Sequence, residues 1–269
     1  MTFKLIALDI DGTIRGADHP IAGRTTRALG RVRDLGAVVT IATGRSFRSA
    51  VEATSELDLE APIASFQGAH LADPRTGRVL WHRPLTEGLT MRALDSLNGW
   101  DGGVMAFIGD EVYVSHLTVW SAAYGERQAV RVREVGSLER VAEMYPTRLV
   151  VVGDEDRIER LESDLIGRFG EELHVTRSLP YFCEILHPAG GKHRALEALC
   201  ARLGVAREDT LAFGNGYNDV HMLRWAGLGV AVEGAVTPAV DAADRICPSV
   251  EQQGPAQVLE ELMSDGLIG

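Results

Sequence analysis

The sequence has few cysteines and no long apolar segment, which argues against a disulfide-stabilised protein and against a membrane-spanning one. Its three cysteines, Cys183, Cys200 and Cys247, are widely spaced and form neither a Cys-x-x-Cys motif nor a zinc-like pattern with histidine. This argues against a disulfide framework and predicts reduced, core-packed thiols. No apolar run reaches the roughly 18 to 20 residues that span a bilayer, and no signal-peptide segment precedes the strand predicted at Leu5. We therefore expect a cytoplasmic protein with no membrane partner.

Basic residues are also scarce: the 269-residue chain has 27 Lys and Arg against 38 Asp and Glu, a formal net charge of -11. Repulsion by the phosphate backbone argues against a nucleic-acid partner. A local phosphate site is still possible, because a lysine, backbone N–H groups or a bound cation can reverse the field there. With 45% hydrophobic residues and no internal repeat, the chain predicts a globular protein of one large or two modest domains. Its oligomeric state stays open between a monomer and a weak dimer.

Strands and helices are predicted to alternate at both ends of the chain. Apolar runs over 5–10, 37–42 and 63–66 are typical of strands buried on both faces, with helical spacing of apolar residues between them. The alternation returns as a helix over 192–203, a strand over 210–213, a helix over 220–225, a strand over 228–232, and a helix with Thr237 as N-cap and Pro238 as its first residue. This pattern predicts an α/β fold, a doubly wound Rossmann-like parallel sheet.

The middle of the chain has a different pattern. Alternating runs such as 149–152 are interleaved with helical segments such as 158–169, which is typical of an α+β domain with a partly antiparallel sheet. We therefore predict a core domain of residues 1–83 and 189–269, interrupted by an inserted domain over 84–188.

Two carboxylates follow the first predicted strand, in Asp9-Ile10-Asp11-Gly12-Thr13. Ligands of open α/β sheets bind beyond the carboxyl ends of the strands, and Gly12 permits a turn there. Asp9 and Asp11 would repel each other unless a cation relieved them, which favours an oxygen-seeking metal such as Mg²⁺. For this motif alone, an Asp-rich turn that simply ends the strand is at least as good an interpretation.

Two further segments carry candidate phosphate-binding residues, and the first of them is predicted at the same edge of the sheet. Thr43-Gly44-Arg45 follows the second strand, and the Thr43 hydroxyl could hold a phosphoryl oxygen, although ordinary turn chemistry explains the segment equally well. Lys192 begins a helix, where a cation opposes the helix dipole. A bound phosphate would resolve that conflict, and a solvated lysine is the alternative.

A fourth segment, Gly214-Asn215-Gly216-Tyr217-Asn218-Asp219, follows a later strand. Its two glycines permit a tight turn, and Asn215, Asn218 and Asp219 supply oxygen and amide groups beside the first motif. Taken alone, it could be a turn in which Asn218 caps the next helix.

In this order, the four segments resemble the four motifs of the haloacid dehalogenase-like hydrolases, beginning with Asp9-x-Asp11-Gly12-Thr13 and ending with Asn218-Asp219. The resemblance covers essentially the whole chain. The insertion resembles a C2-type cap, and its βαβ pattern resembles subclass IIB, the Cof-like phosphatases. The resemblance implies a Mg²⁺-dependent phosphatase that hydrolyses a small phosphorylated metabolite, foremost a sugar phosphate.

The resemblance also implies a role for each site residue. Asp9 would attack phosphorus to form an aspartyl phosphate, and Asp11 would protonate the leaving oxygen and then activate water. Thr43 and Lys192 would neutralise the equatorial oxygens. The remaining implied roles are phosphate or substrate binding by Gly12, Gly44, Arg45, Gln67 and Asn218, support of Lys192 by Asn218, and Mg²⁺ binding by Asp9, the backbone carbonyl of Asp11, Asn215 and Asp219.

The sequence departs from the family pattern at two positions. Most relatives carry Asp where this chain has Asn215, and replacing a ligating carboxylate by a neutral amide predicts weaker Mg²⁺ binding. Relatives commonly have Asn-Gly-Ala where this chain has Gln67-Gly68-Ala69, so Gln67 keeps an amide with a longer reach. Two alternatives therefore stay open: a phosphomannomutase-like phosphomutase on the same scaffold, and a catalytically weakened metabolite-binding or regulatory protein.

Overall fold

The chain divides into two compact units, one of Met1–Trp81 with Lys192–Gly269 and one of His82–Gly191. The computed structural model describes residues 2–17, 19–128 and 130–269. The sequence placed the boundaries after residues 83 and 188. The catalytic and cap roles expected for the two units stay predictions.

The elements run in chain order as follows. The first stretch contains β1 (Leu5–Leu8), α1 (Gly23–Asp34), β2 (Val38–Ile41), α2 (Phe47–Ala53), β3 (Ile63–Ser65), β4 (His70–Ala72) and β5 (Val79–His82). The second unit contains α3 (Glu87–Ser96), β6 (Gly103–Ile108), β7 (Glu111–Val114), α4 (Val119–Gln128), β8 (Arg131–Glu134), β9 (Arg148–Val152), α5 (Glu155–Phe169), β10 (His174–Leu179) and β11 (Phe182–Leu186). The last stretch contains α6 (Lys192–Leu203), β12 (Thr210–Gly214), α7 (Val220–Trp225), β13 (Leu228–Val232), α8 (Thr237–Ala242), β14 (Arg245–Cys247) and α9 (Gly254–Ser264).

The first unit is built on a five-stranded sheet in the order β14-β13-β12-β1-β2, with every neighbouring pair parallel. Alternate residues of β1 face opposite layers. Ile6 and Leu8 join a core with α1 and α9, and Leu5 and Ala7 join a core with α6 and α7. Burial on both faces explains why β1 is a continuous apolar run. The α/β fold with a doubly wound parallel sheet is confirmed.

The second unit contains a six-stranded sheet in the order β10-β11-β9-β6-β7-β8. Its pairs are antiparallel except β7 with β8, which is parallel. Helix α5 buries Ile158, Leu161 and Leu165 against the sheet, together with Ala93 of α3. This confirms the α+β pattern with a partly antiparallel sheet.

One predicted helix start is wrong by a residue. Val236 is the N-cap of α8, so Thr237 is the first helical residue and Pro238 follows it. The backbone N–H of Val236 donates to the carbonyl of Asn215 at 3.0 Å, which fixes the chain in an extended conformation just before the helix. Pro238 fits there because the first turn of a helix does not use its N–H groups.

Cys183, Cys200 and Cys247 are all buried and free, as predicted. Across residues 2–17, 19–128 and 130–269, every helix is too short or too polar to cross a membrane.

Candidate active site

Three loops of the first unit meet at one edge of its sheet. β1 lies between β2 and β12 in parallel register, with Leu8 opposite Ile41 and Phe213. The chain leaves β1 towards β2 on one side and returns as β12 on the other. Such a reversal of strand order leaves a crevice at the carboxyl ends of the strands. The predicted residues Asp9, Thr43 and Asn215 follow these three strand ends.

Lys192 connects two of these loops through a buried ion-pair triad. Its Nζ lies 2.6 Å from Asp9 Oδ1 and 2.6 Å from Asp219 Oδ1, and its side chain is only 1% exposed. The solvated alternative for Lys192 is therefore wrong. The two carboxylates offset the unfavourable position of a cation at the start of α6. The expected support of Lys192 by Asn218 is also wrong, because Asp219 makes that contact.

Asp219 is held by three protein donors. Its Oδ1 contacts Lys192, and its Oδ2 accepts hydrogen bonds from the backbone N–H groups of Asn215 and Gly216, both at 2.9 Å. A carboxylate held in this way fixes the Lys192 ammonium and the turn after β12 in one arrangement. Asp219 is also the N-cap residue of α7, so the interpretation in which Asn218 caps this helix is wrong.

Thr13 lies between the Asp9 carboxylate and the Asn215 amide. Its Oγ1 is 3.0 Å from Asn215 Oδ1 and 3.4 Å from Asp9 Oδ2. Gly12 has a positive φ of 79°, and a Cβ added there would lie 2.3 Å from Asn215 Nδ2. Only glycine therefore lets the Asn215 amide approach the Asp9 loop. Thr13 was part of the first sequence motif, but no pattern in the sequence predicted its contact with Asn215.

The chemistry of this oxygen cluster fits a hard divalent cation. Burial raises the pKa of Asp9 and the carboxylates of Asp219 and Asp11 add to the rise, against the attraction of Lys192. A cation beside Asp9 would favour its ionised form. No set of three His, Cys, Asp or Glu side chains in the described part of the chain is placed to hold a metal. The amide oxygen of Asn215 and a backbone carbonyl would thus have to complete the Mg²⁺ site.

Arg45 lies against Asp11. Its Nε and Nη2 donate to the two oxygens of Asp11 at 2.8 and 2.7 Å, and its Nη1 donates to Ser49 Oγ at 3.1 Å. Ser49 lies on α2 and was not singled out from the sequence. The Arg45 guanidinium already binds the Asp11 carboxylate. The phosphate-binding role expected for Arg45 therefore stays a prediction, and these contacts do not support it.

Thr43 and Gly44 form a loop beside the Asp9 segment. The Thr43 Oγ1 accepts a hydrogen bond from the backbone N–H of Arg45 at 3.2 Å, which leaves the hydroxyl proton for a phosphoryl oxygen. A Cβ on Gly44 would lie 2.5 Å from Gln67 Nε2, so the glycine leaves room for the Gln67 amide. Gln67 is itself 1% exposed, and its Oε1 accepts a hydrogen bond from Asn218 Nδ2 at 2.9 Å.

The second unit has a separate cavity of about 510 Å³, lined by Trp120, Ala123, Tyr124, Glu126, Arg127, Tyr181 and Phe182. Tyr124 packs edge-on against Phe107, with ring centroids 5.5 Å apart. Trp120 lies against Tyr181 at 5.4 Å and remains 46% exposed.

A sequence profile of the haloacid dehalogenase-like hydrolases matches residues 6–259 of this chain. The chain is 29% identical over 266 residues to the 5-amino-6-(5-phospho-D-ribitylamino)uracil phosphatase YitU of Bacillus subtilis, covering 97% of both chains. It is 27% identical over 242 residues to an HMP-PP phosphatase of Cronobacter sakazakii, covering 87% of this chain and 85% of that protein.

The fold is shared with a solved subclass IIB sugar phosphatase. The TM-score is 0.84 at 21% identity, over 98% of this chain and 100% of that structure. Both units of the present chain are therefore included in the similarity.

Proposed function

We propose that this chain, which belongs to the haloacid dehalogenase-like hydrolase family, removes a phosphoryl group from a small phosphorylated metabolite through an aspartyl phosphate on Asp9. Family membership makes the protein a hydrolase, and the curated relatives compared above are named as phosphatases. The nucleophile, the intermediate and the substrate class are the proposed parts.

The observation that carries the proposal is the buried contact between Asp9 and Lys192. Lys192 Nζ lies 2.6 Å from Oδ1 of Asp9, and the Thr13 hydroxyl lies 3.4 Å from Oδ2. The carboxylate is thus fixed in one orientation at the carboxyl end of β1, which is the arrangement an attacking nucleophile needs. The ammonium also supplies positive charge where a phosphoryl group would add negative charge.

The surrounding residues supply the other functions of a phosphoryl-transfer site. The Thr43 hydroxyl can donate to a phosphoryl oxygen, and Asp11 can exchange a proton with the leaving oxygen and later with water. Asp219 acts by positioning Lys192, in place of the metal-ligand role expected from the family resemblance. Bound Mg²⁺, held by Asp9, Asn215 and the carbonyl of Asp11, would supply further neutralisation of phosphoryl charge.

For the substrate we propose a sugar phosphate or a similar polyol phosphate. The name of the Bacillus subtilis relative includes a phospho-D-ribitylamino group, which is a phosphorylated polyol. We also propose that the protein acts in the cytoplasm, since its cysteines are buried and free, as suits a reducing compartment. It would act there as a monomer or a weak dimer.

Phosphate release from p-nitrophenyl phosphate, sugar phosphates and 5-amino-6-(5-phospho-D-ribitylamino)uracil tests the proposal. We expect release that needs Mg²⁺ and disappears in Asp9→Asn. Conversion of a sugar phosphate into an isomer without phosphate release would instead indicate the phosphomutase. Release that survives in Asp9→Asn would contradict the assigned nucleophile.

A further inference from the structure

The segment Phe66-Gln67-Gly68 has an unusual backbone conformation. Phe66, Gln67 and Gly68 have φ values of 49°, 56° and 83°, so three consecutive residues are left-handed and two of them carry a Cβ. Such a conformation is disfavoured for residues with a Cβ and persists only where the surrounding structure enforces it. Local propensity does not explain this turn, so its tertiary contacts must.

Two main-chain hydrogen bonds hold the turn on the Thr43–Arg45 loop. The N–H of Phe66 donates to the carbonyl of Arg45 at 2.8 Å, and the N–H of Gln67 donates to the carbonyl of Thr43 at 3.0 Å. The left-handed turn is therefore hydrogen-bonded to the loop that offers the Thr43 hydroxyl. Its position is set by the same residues that form the proposed phosphate site.

The Gln67 side chain extends from this turn to the loop after β12. Its amide is buried, with Nε2 over Gly44 and Oε1 accepting from Asn218 Nδ2. At the other end of the Asn218 amide, Oδ1 would lie 2.5 Å from a Cβ on Gly216. The Asn218 amide thus lies between Gln67 and Gly216. Its second N–H proton is not used by the contact with Gln67.

We propose that Gln67 is a positioning residue that acts through Asn218, holding the Asn218 amide so that its second N–H points at the transferred phosphoryl group. This inference rests on the proposed phosphatase function. It changes the role expected for Gln67 from substrate contact to orientation of a neighbouring donor. It also gives the strained turn a role, because that turn places the Gln67 amide between Gly44 and Asn218.

A double-mutant cycle of Gln67→Met, Asn218→Ala and the double variant tests this role, with p-nitrophenyl phosphate and Mg²⁺. Methionine keeps the length of the side chain and removes the acceptor. We expect Gln67→Met to lower kcat/KM by about tenfold, the effect of one hydrogen bond, mainly through KM. In the Asn218→Ala background, Gln67→Met should lower kcat/KM by less than about twofold, because the donor that Gln67 orients is already absent. Gln257→Met, which removes a hydrogen bond on α9, is the matched control and should leave kcat/KM unchanged.

The affinity for inorganic phosphate, measured by calorimetry with Mg²⁺, is a second readout that needs no turnover. It should show the same loss in Gln67→Met and the same non-additivity with Asn218→Ala. Equal losses from Gln67→Met in both backgrounds would overturn the inference and leave the phosphatase function standing. A wild-type protein without phosphatase activity would overturn the proposed function, and the phosphate affinities would still decide whether Gln67 acts through Asn218.

Discussion

Arg45 holds the carboxylate of Asp11 in a two-pronged ion pair, Nε to Oδ2 at 2.8 Å and Nη2 to Oδ1 at 2.7 Å. The Asp11 side chain is 57% exposed, and Arg45 is anchored from behind by Ser49. A guanidinium fork fixes the plane of a carboxylate as well as its position. The proposed proton-transfer group, Asp11, is therefore oriented by a residue to which the family resemblance assigned phosphate binding.

Arg45→Lys should lower kcat by about tenfold with little change in KM, because lysine keeps the charge and loses the fork. The free energy of unfolding should change by less than about 1 kcal/mol, since the Asp11 side chain of the pair is 57% exposed. Steady-state kinetics and urea denaturation measure the two effects. Arg48→Lys, an exposed arginine on α2, is the control. A raised KM at unchanged kcat would show that Arg45 binds the phosphoryl group instead.

Most of the fold could be predicted from the sequence, because strands, helices and turns are encoded by patterns of residues that are close together in the chain. The apolar run of β1 and the Asp9-x-Asp11 turn predict a buried parallel strand that ends in a site, and the structure contains both. The contacts of the site were less predictable. The partner of Lys192 could have been Asn218 or Asp219, which are adjacent in sequence, and only the direction of the turn after β12 decides between them. The contacts of Thr13 with Asn215 and of Gln67 with Asn218 join segments more than 150 residues apart, which no local pattern encodes.

Lys192→Met should destabilise the protein by about 3 kcal/mol near neutral pH, because it leaves Asp9 and Asp219 buried together without their cation. Phosphatase activity should fall by about a hundredfold or more. Urea denaturation and phosphate release measure the two effects. Lys4→Met, which breaks a more exposed pair with Asp209, should cost less than about 1 kcal/mol.

The stability deficit of Lys192→Met, meaning its loss of free energy of unfolding relative to the wild type, should also depend on pH. Burial already raises the pKa of Asp9 in the wild type, and removal of Lys192 raises it further. A carboxyl whose pKa is higher in the folded state than in the unfolded state favours folding at low pH, and this contribution is lost as the pH rises through the folded-state pKa. The deficit should therefore be smaller at pH 5 than at pH 8. An equal deficit at both pH values would argue against buried carboxylate charge as its cause.

Asn215→Asp should tighten the apparent Mg²⁺ affinity by about tenfold, because it adds a carboxylate beside Asp9. Without metal the same change should lower the thermal unfolding temperature, since it adds negative charge to a cluster that contains Asp9 and Asp219. A metal titration of activity and a melting curve with and without Mg²⁺ measure the two effects. Asn98→Asp, at an exposed residue that is not among the proposed site residues, is the control. Unchanged or weaker Mg²⁺ affinity would remove Asn215 from the metal site.

His193 should make the fold sensitive to acid. Burial lowers the pKa of His193 from its usual 6.5 to about 4, with contributions from His221 and Arg194. Between these values the unfolded chain binds a proton that the folded chain does not, so stability falls as the pH falls. His193→Gln should therefore reduce the loss of stability between pH 8 and pH 5 by about 1 kcal/mol. If His193→Gln left the wild-type pH dependence intact, the assignment of a neutral His193 imidazole in the folded state would be contradicted.

The covalent intermediate on Asp9 is the central claim, and trapping it is the most direct test. Asp11→Asn removes the group that activates water, while p-nitrophenolate leaves without needing an acid, so the aspartyl phosphate should accumulate. Acid quenching of this variant during turnover with Mg²⁺, followed by peptide mass spectrometry, should show one added phosphoryl group on the peptide that contains Asp9. The adduct should be absent from the Asp9→Asn, Asp11→Asn double variant. Turnover of the aryl phosphate with no adduct on that peptide, or an adduct that persists in the double variant, would contradict the account.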